Sequence, residues 1–190
     1  AGLNPDGYVG RGIMAGSSVG FSLYVAERHY LLQRFQQSQQ ESVQFLVQIG
    51  RESLTSRNMP LLASYLSLLR KSRALTYAMV LDAKGQIVAH TNTIFVGQKP
   101  TDTVTLQALE AGTLTQQESP AGSDQVVDLA MPILQEGRRW GTARVGYSQK
   151  AIAALVDGAL EAARHRIFVA GAVSIVVGIA IAVFLALLLA

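Results

Sequence analysis

The C-terminal end of the chain is a continuous apolar segment, and it constrains the fold more than any other feature. From Ile167 to Ala190 the sequence IFVAGAVSIVVGIAIAVFLALLLA has 24 residues with no charge and a single serine. A helix needs about 20 apolar residues to cross the hydrocarbon core of a bilayer. A core helix of a soluble protein is rarely apolar on every face over such a length. The sequence therefore predicts a transmembrane helix over 167–190.

A second uncharged segment lies near the start of the chain. Gly12–Ala26 is shorter than a full membrane span, but three of its glycines repeat at four-residue spacing, as in membrane helices that approach closely. We expect a partial first transmembrane helix over 12–26, preceded by an irregular leader over 1–11. A flexible Gly/Ser leader is the alternative.

Between these segments the sequence pattern changes from helix to strand and back to helix. Ser22–Arg57 has the three- and four-residue apolar spacing of a long helix, and Pro60–Ser72 predicts a shorter one. Strands are predicted at 75–82, 85–91, 114–119, 124–134 and 138–148, with a short helix at 102–111. A last helix begins at Gln149 and runs into the apolar segment. The order predicts an α+β fold, one antiparallel sheet with helices on one side. We place the folded domain at 27–157 and a connecting helix at 158–166.

Composition excludes several classes of function. The net charge is only +3, and no basic stripe with interleaved aromatics supports nucleic-acid binding. The absence of cysteine excludes disulfides, thiolate metal sites and cysteine nucleophiles. The three histidines fall in separate elements without metal-ligand spacing, and there is no phosphate loop or nucleophile elbow. We therefore predict no catalytic residues, no metal site and no cofactor.

The polar residues of the strand region are the candidates for a site. Asp128 precedes a short hairpin whose register brings it near Arg144 on the next strand. A structural ion pair is the simpler interpretation of this pairing, and a ligand contact is the alternative. His90 ends the second strand, where it either caps the strand end or binds a ligand with a pH-sensitive imidazole. Asn92 is equally a turn former or a ligand donor. Arg73 ends the second helix, either solvated there or directed toward Tyr77.

Three stretches, taken in order, resemble a known family. MVLDAKGQIVAHTNTIFVGQ, AMPIL, and GTARVGYSQKAIAAL before the membrane helix are similar to the extracytoplasmic single-Cache, or PAS-like, sensor domain of bacterial receptors. Its members include citrate and C4-dicarboxylate sensor kinases, and similar domains head chemoreceptors and cyclases. The resemblance covers 61–157. It implies a PAS-like sheet that holds a small ligand, a long N-terminal helix that pairs in a homodimer, and flanking membrane helices that carry the signal to a cytoplasmic output module.

The resemblance also implies a ligand, a location and a set of site residues. The ligand would be a small carboxylate or an amino acid, and the domain would lie in the periplasm or outside the cell, anchored in the lipid of the bacterial inner membrane. The candidate ligand-binding residues are Arg73, Tyr77, Met79, His90, Asn92, Asp128, Met131 and Arg144.

Two other functions fit the same sequence. The chain is alternatively a membrane-anchored accessory subunit that uses its domain for protein contacts, or a cytoplasmic protein anchored at its C-terminus. The basic run Arg164–Arg166 lies on the domain side of the apolar segment, and the positive-inside rule places such a flank in the cytoplasm. The rule counts both flanks, however, so this run does not decide the orientation.

Overall fold

The computed structural model describes residues 6–121 and 123–189. The elements, in chain order, are the helices and strands α1 (Asp6–Ser56), α2 (Met59–Leu69), β1 (Leu75–Asp82), β2 (Ile87–His90), the 3-10 turn η1 (Thr93–Phe95), α3 (Thr103–Glu110), β3 (Thr115–Ala121), β4 (Asp124–Gln135), β5 (Arg138–Ser148) and α4 (Gln149–Leu189). They form two compact units. One is Gln33–Ala154, which we call the sheet unit, and the other is helical and comes from the first part of α1 and the later part of α4. The predicted α+β fold with a long N-terminal helix is confirmed.

The sheet unit is built on a single five-stranded sheet. Its strand order is β2-β1-β5-β4-β3, and every neighbouring pair is antiparallel. Directly paired residues of an antiparallel ladder lie on the same face. The pairs Tyr77–Gly146, Gly146–Asp128 and Asp128–Gln117 therefore define one face, which we call the cavity face. The residues between them form the opposite face, which we call the core face.

The hydrophobic core lies between the core face and helix α1. Gly50 of α1 lies so close to the sheet that a Cβ there would stand 2.8 Å from the Cδ1 atom of Ile133. Phe45 and Tyr65 join α1 to α2 with ring centroids 5.0 Å apart. Fully buried aliphatic side chains from both helices and from the sheet complete the core: Val43, Leu46, Leu62, Val80, Leu129, Ile133 and Val145. This dense packing closes the core face of the sheet.

The prediction that all helices lie on one side of the sheet is wrong for α3. Thr105 of α3 contacts Arg144 on the cavity face, opposite α1. A connection of 12 residues separates β2 from α3, which is long enough to carry the chain around the sheet edge. The spacing of apolar and polar residues in a short helix shows that one of its faces is buried. It does not show which surface that face packs against.

Helix α1 begins earlier than the predicted leader allows. Residues 6–11 are helical, and residues 1–5 lie outside the described part of the chain. No proline follows Asp6 until Pro60, and glycines weaken a helix without ending it. The segment 12–26 falls within α1, and its insertion in a membrane stays a prediction.

Helix α4 follows β5 without a break and contains the apolar C-terminal segment. In the described residues one helix, Gln149–Leu188, is long and apolar enough to cross a membrane, and none of its most apolar window is buried within the protein. Asp157 pairs with Arg28 of α1 at 3.4 Å between Oδ1 and Nε, and both side chains are well exposed. An exposed ion pair of this kind adds little stability. The boundaries at 158 and 167 stay predictions.

Candidate ligand-binding cavity

A cavity of about 720 Å³ opens on the cavity face of the sheet. Its apolar and aromatic lining comes from Leu75, Tyr77, Met79, Ile87, Phe95, Pro100 and Val104. Its polar lining comes from Arg70, Thr76, His90, Thr91, Asn92, Asp102, Thr105, Ser119 and Arg144. Apolar walls with a few convergent polar groups, and a volume between about 300 and 1,000 Å³, are typical of small-molecule sites.

A buried ion pair forms the floor of the cavity. The Nη2 atom of Arg144 lies 3.1 Å from Oδ2 of Asp128, and its Nε lies 3.2 and 3.3 Å from the two carboxylate oxygens. Both side chains are almost completely buried. The two residues occupy neighbouring strands joined by the tight turn at Glu136 and Gly137, and a β-bulge at Trp140, between the pairs Leu134–Arg139 and Ile133–Gly141, shifts the register by one residue. Asp128 and Arg144 therefore meet, as predicted, but the bulge and not the turn alone brings them to the same face.

Tyr77 joins both members of this pair. Its hydroxyl donates to Oδ1 of Asp128 at 2.6 Å and accepts from Nη2 of Arg144 at 3.2 Å. The guanidinium carbon of Arg144 also lies 5.7 Å from the Tyr77 ring centroid, within cation–π range. Burial, reinforced by the Asp128 carboxylate, raises the pKa of Tyr77 far above its ordinary value, so the phenol keeps its proton. The protonated hydroxyl is what allows Tyr77 to donate to Asp128.

Gly146 makes this position of Tyr77 possible. A Cβ at Gly146 would lie 2.5 Å from Cε1 of Tyr77 and 2.6 Å from Cζ. The aromatic ring therefore rests directly on the β5 backbone, in space that any larger residue would occupy. The glycine in the sequence RVGYS is a packing requirement of the site.

Helix α3 is connected to the same network through Thr105. Arg144 donates through Nη1 to the Thr105 hydroxyl, which in turn donates to Oδ2 of Asp102 at 2.6 Å. Asp102 is the N-cap of α3, since its Oδ1 accepts from the Thr105 amide at 2.9 Å. Partial burial alone would raise the pKa of Asp102, but the two Thr105 hydrogen bonds, together with the positive charge of Arg144 and a backbone hydrogen bond, hold that pKa below its ordinary value. A continuous chain of hydrogen bonds thus links Asp102, Thr105, Arg144, Asp128 and Tyr77.

His90 forms one wall of the cavity between two aromatic rings. Its ring centroid lies 6.3 Å from that of Tyr77, nearly parallel, and 5.0 Å from that of Phe95. Nδ1 accepts a hydrogen bond from the Asn92 amide at 2.8 Å, so the neutral ring carries its proton on Nε2. Burial lowers the pKa of His90 below its ordinary value. His90 therefore caps the strand end, and it does so by accepting from a backbone amide instead of donating to a carbonyl.

The structure brings most of the predicted site residues together. Five of the eight line the cavity: Tyr77, Met79, His90, Asn92 and Arg144. Asp128 lies behind Arg144 and does not line it. Met131 is paired with Ala143 on the core face, so its side chain points away from the cavity. Arg73 is exposed in the turn before β1 and does not line the cavity. Arg70, three residues earlier in the chain, does line it.

Sequence reasoning missed Asp102 and Thr105. The only local signal for them was an aspartate three residues before a threonine at the start of a helix, which is a common capping pattern. That pattern indicates where the helix begins but not what the threonine side chain contacts. Their part in the site follows from the position of α3 on the cavity face, which the sequence did not reveal.

A PAS-like sheet that holds a cavity on one face, between a buried polar network and an aromatic wall, defines a sensor domain. The family model for single Cache domain 3 matches residues 28–161, and the chain belongs to this family. It is thus a Cache domain of the type found in receptors, a ligand-sensing class that is generally not catalytic.

Solved structures share the fold at low sequence identity. The sensory domain of the Campylobacter jejuni chemoreceptor Tlp3 with isoleucine bound has a TM-score of 0.61 and 14% identity, over 82% of this chain and 68% of that one. A sensory box/GGDEF family protein domain from Vibrio parahaemolyticus has a TM-score of 0.52 and 14% identity, over 74% of this chain and 62% of that one. The extracellular domain of the putative histidine kinase vpHK1S-Z8 has a TM-score of 0.55, also at 14% identity, over 75% and 63%. This chain covers less than two thirds of the length of the last two of these proteins. No curated protein sequence matches the chain significantly.

Proposed function

We propose that this chain is the small-molecule sensing part of a bacterial membrane receptor, with its domain on the outer side of the inner membrane. The observation that carries the proposal is the cavity of about 720 Å³ on the open face of a Cache sheet, with a buried polar network at its floor. A cavity with apolar walls and several convergent hydrogen-bonding groups is suited to a ligand of amino-acid or small-carboxylate size. Tlp3, which shares the fold, binds isoleucine and L-valine.

Signal output is proposed to run from the cavity to α4. Arg144 lies on β5, and β5 is followed directly by α4, which continues as one helix to Leu189. A ligand that contacts the hydrogen-bonded chain of Asp102, Thr105 and Arg144 would shift β5, and the continuous helix offers a direct route for that displacement into the apolar segment. A cytoplasmic output module would follow, and the receptor would act as a homodimer paired through α1 and the membrane helices.

A thermal-shift screen of the whole chain in lipid nanodiscs tests the proposal. Small carboxylates and amino acids form the panel, because a ligand that binds only the folded state stabilises it by about 2.7 kcal/mol at a hundredfold excess over Kd. We expect at least one compound to raise the Tm. Val104→Trp, which fills the cavity from α3, should abolish the shift. Leu106→Trp on the exposed side of the same helix is the matched control and should keep it.

A membrane-anchored accessory subunit is the second candidate function. The turn η1 and the residue after it expose three consecutive apolar side chains, and Ile94 is 75% exposed. Such a turn is suited to contact with another protein. The absence of any ligand-induced shift across the panel, combined with loss of complex formation in Ile94→Ser, would favour this second function over the first.

A further inference from the structure

The charges around the cavity are balanced. Among the described lining residues, Arg70 and Arg144 are cationic and Asp102 is anionic. Asp128 stands directly behind Arg144 and supplies the second negative charge. His90 adds none, because its Nδ1 accepts the Asn92 amide and the ring is therefore neutral. The site offers a ligand no net positive field.

Arg144 is already engaged by the protein. Each of its three nitrogens donates a hydrogen bond within the protein: Nε to Asp128, Nη1 to Thr105 and Nη2 to Tyr77, and Nη2 also lies 3.1 Å from Oδ2 of Asp128. A ligand carboxylate needs two parallel donors for the strong bidentate arrangement. A ligand carboxylate that took the Nε and Nη2 side of Arg144 would displace Asp128 and leave a fully buried carboxylate unpaired, a strongly unfavourable state.

The remaining charged groups of the lining are of opposite sign and both exposed. Arg70 is the C-cap of α2, and Asp102 is the N-cap of α3. Neither forms an ion pair with another residue of the described chain. The Asp102 carboxylate accepts one hydrogen bond on each oxygen, both from Thr105, so each oxygen still has a lone pair for an ammonium group.

We propose that the cavity selects zwitterions of the amino-acid type with an apolar side chain over anions of the same carbon skeleton, and that Asp128 sets this preference. The inference rests on the proposed sensing function. Asp128 neutralises the guanidinium at the floor, Arg70 receives the ligand carboxylate and Asp102 receives the ammonium. The aliphatic wall formed by Leu75, Met79, Ile87 and Val104 holds the side chain.

Ligands that share a carbon skeleton but differ in their charged groups separate the effect of charge on binding from the effect of shape. Leucine is compared with isocaproate, which lacks the ammonium, and with isoamylamine, which lacks the carboxylate; valine, isovalerate and isobutylamine form a second set. Binding is measured by thermal shift and calorimetry on the whole chain in nanodiscs. We expect each amino acid to bind about tenfold or more tightly than either analogue, since each lost charge-assisted hydrogen bond lowers affinity by roughly that factor.

Two variants test the role of the carboxylates. Asp128→Asn keeps the shape of the side chain but removes its charge, so the affinity for isocaproate relative to leucine should rise about tenfold. Asp102→Asn removes the proposed ammonium partner and should weaken leucine binding without weakening isocaproate. Asparagine is as good an N-cap as aspartate, so this variant folds even if Asp128→Asn does not.

The outcomes distinguish the inference from the function on which it rests. Stronger binding of isocaproate or isovalerate than of the amino acids to the unmodified chain overturns the zwitterion preference but leaves the sensing function intact. An unchanged ranking in folded Asp128→Asn overturns the role of Asp128, and an unchanged ranking in Asp102→Asn overturns the ammonium site. If neither these sets nor the broader panel of carboxylates and amino acids binds, the sensing function itself is wrong.

Discussion

At the scale of single residues, Gly146 decides where the Tyr77 ring lies. Gly146→Ala places a methyl group within the space of the ring, so Tyr77 must move and release Asp128. We expect the free energy of unfolding to fall by about 1–3 kcal/mol, the usual cost of overpacking a tight site. Denaturant titration followed by circular dichroism measures the change.

Gly158→Ala is the matched control for that substitution. Gly158 lies in α4, and a Cβ there meets nothing within 4 Å. The same chemical change should therefore stabilise the chain by about 0.5–1 kcal/mol, because alanine is the better helix former. Equal effects of the two substitutions would show that the ring does not rest on Gly146.

The Tyr77 hydroxyl is the second residue whose contribution is measurable alone. Tyr77→Phe keeps the ring but leaves Oδ1 of Asp128 and one Arg144 N–H without this partner. We expect a loss of about 1–3 kcal/mol in unfolding free energy, the cost of leaving buried polar groups unsatisfied. Tyr65→Phe is the comparison, since the Tyr65 hydroxyl makes only a long bond of 3.4 Å to the Ser42 carbonyl, and its loss should cost less. A larger loss in Tyr65→Phe would contradict the role assigned to Tyr77.

At the scale of elements, the turn after β2 should respond to pH through His90. Burial lowers the pKa of His90 in the folded chain, while the unfolded chain has the ordinary value of about 6.5. The unfolded state therefore binds more protons between these two values, and stability rises with pH there. His90 contributes its full stabilisation above about pH 6.5 and loses it as the pH falls through the lowered pKa. Protonation of Nδ1 also removes the acceptor for the Asn92 amide.

His90→Gln isolates this effect from those of His29 and His165, which remain in both proteins. The difference in unfolding free energy between the unmodified chain and His90→Gln should shrink as the pH is lowered from 7.5 toward 5, a range that spans the ordinary histidine pKa of about 6.5. A difference that stays constant or grows toward acidic pH would mean that His90 is not buried in its neutral form. Unfolding followed by tryptophan fluorescence at each pH gives the measurement.

The start of α3 depends on Asp102. Asp102→Ala removes the N-cap and the acceptor for the Thr105 hydroxyl, and we expect a loss of about 0.5–2 kcal/mol. Asp102→Asn keeps an oxygen acceptor and should stay within a few tenths of a kcal/mol of the original chain. A similar loss in both variants would indicate that the carboxylate charge, and not the cap, holds α3 in place.

The same elements show how far sequence reasoning reached. The pairing of β4 with β5 was predictable from the tight turn, but the contact between Asp128 and Arg144 also depends on the β-bulge between Ile133 and Leu134, since a one-residue shift in register moves a side chain to the other face. The position of α3 was not predictable, because a connection of 12 residues does not determine which face of a sheet a short helix covers. That Met131 does not line the cavity was not predictable for another reason. β4 and β5 are buried on both faces, so the alternation of polar and apolar residues that reveals a strand's orientation is missing there.

At the scale of the whole molecule, the proposed homodimer requires that α1 has an exposed side with which it can pair with its twin. Within the sheet unit, Val43, Leu46 and Gly50 are buried on one side of the helix. The opposite side exposes a row at three- and four-residue spacing: Gln37, Glu41, Gln44 and Gln48. A helix that pairs with its twin would use this exposed row, because its other side is occupied by the sheet.

Single cysteines along that row test the pairing without interference, since the chain contains no cysteine of its own. In membranes under mild oxidation, we expect Glu41→Cys or Gln44→Cys to form covalent dimers with a helical periodicity of three or four residues. Gln107→Cys, which is also exposed but lies on α3, should remain monomeric. Disulfide formation requires Cα atoms within about 7 Å, so efficient crosslinking locates the symmetry axis directly. Crosslinking at Gln107 but not along α1 would move the dimer interface to the cavity side, where pairing would restrict ligand entry.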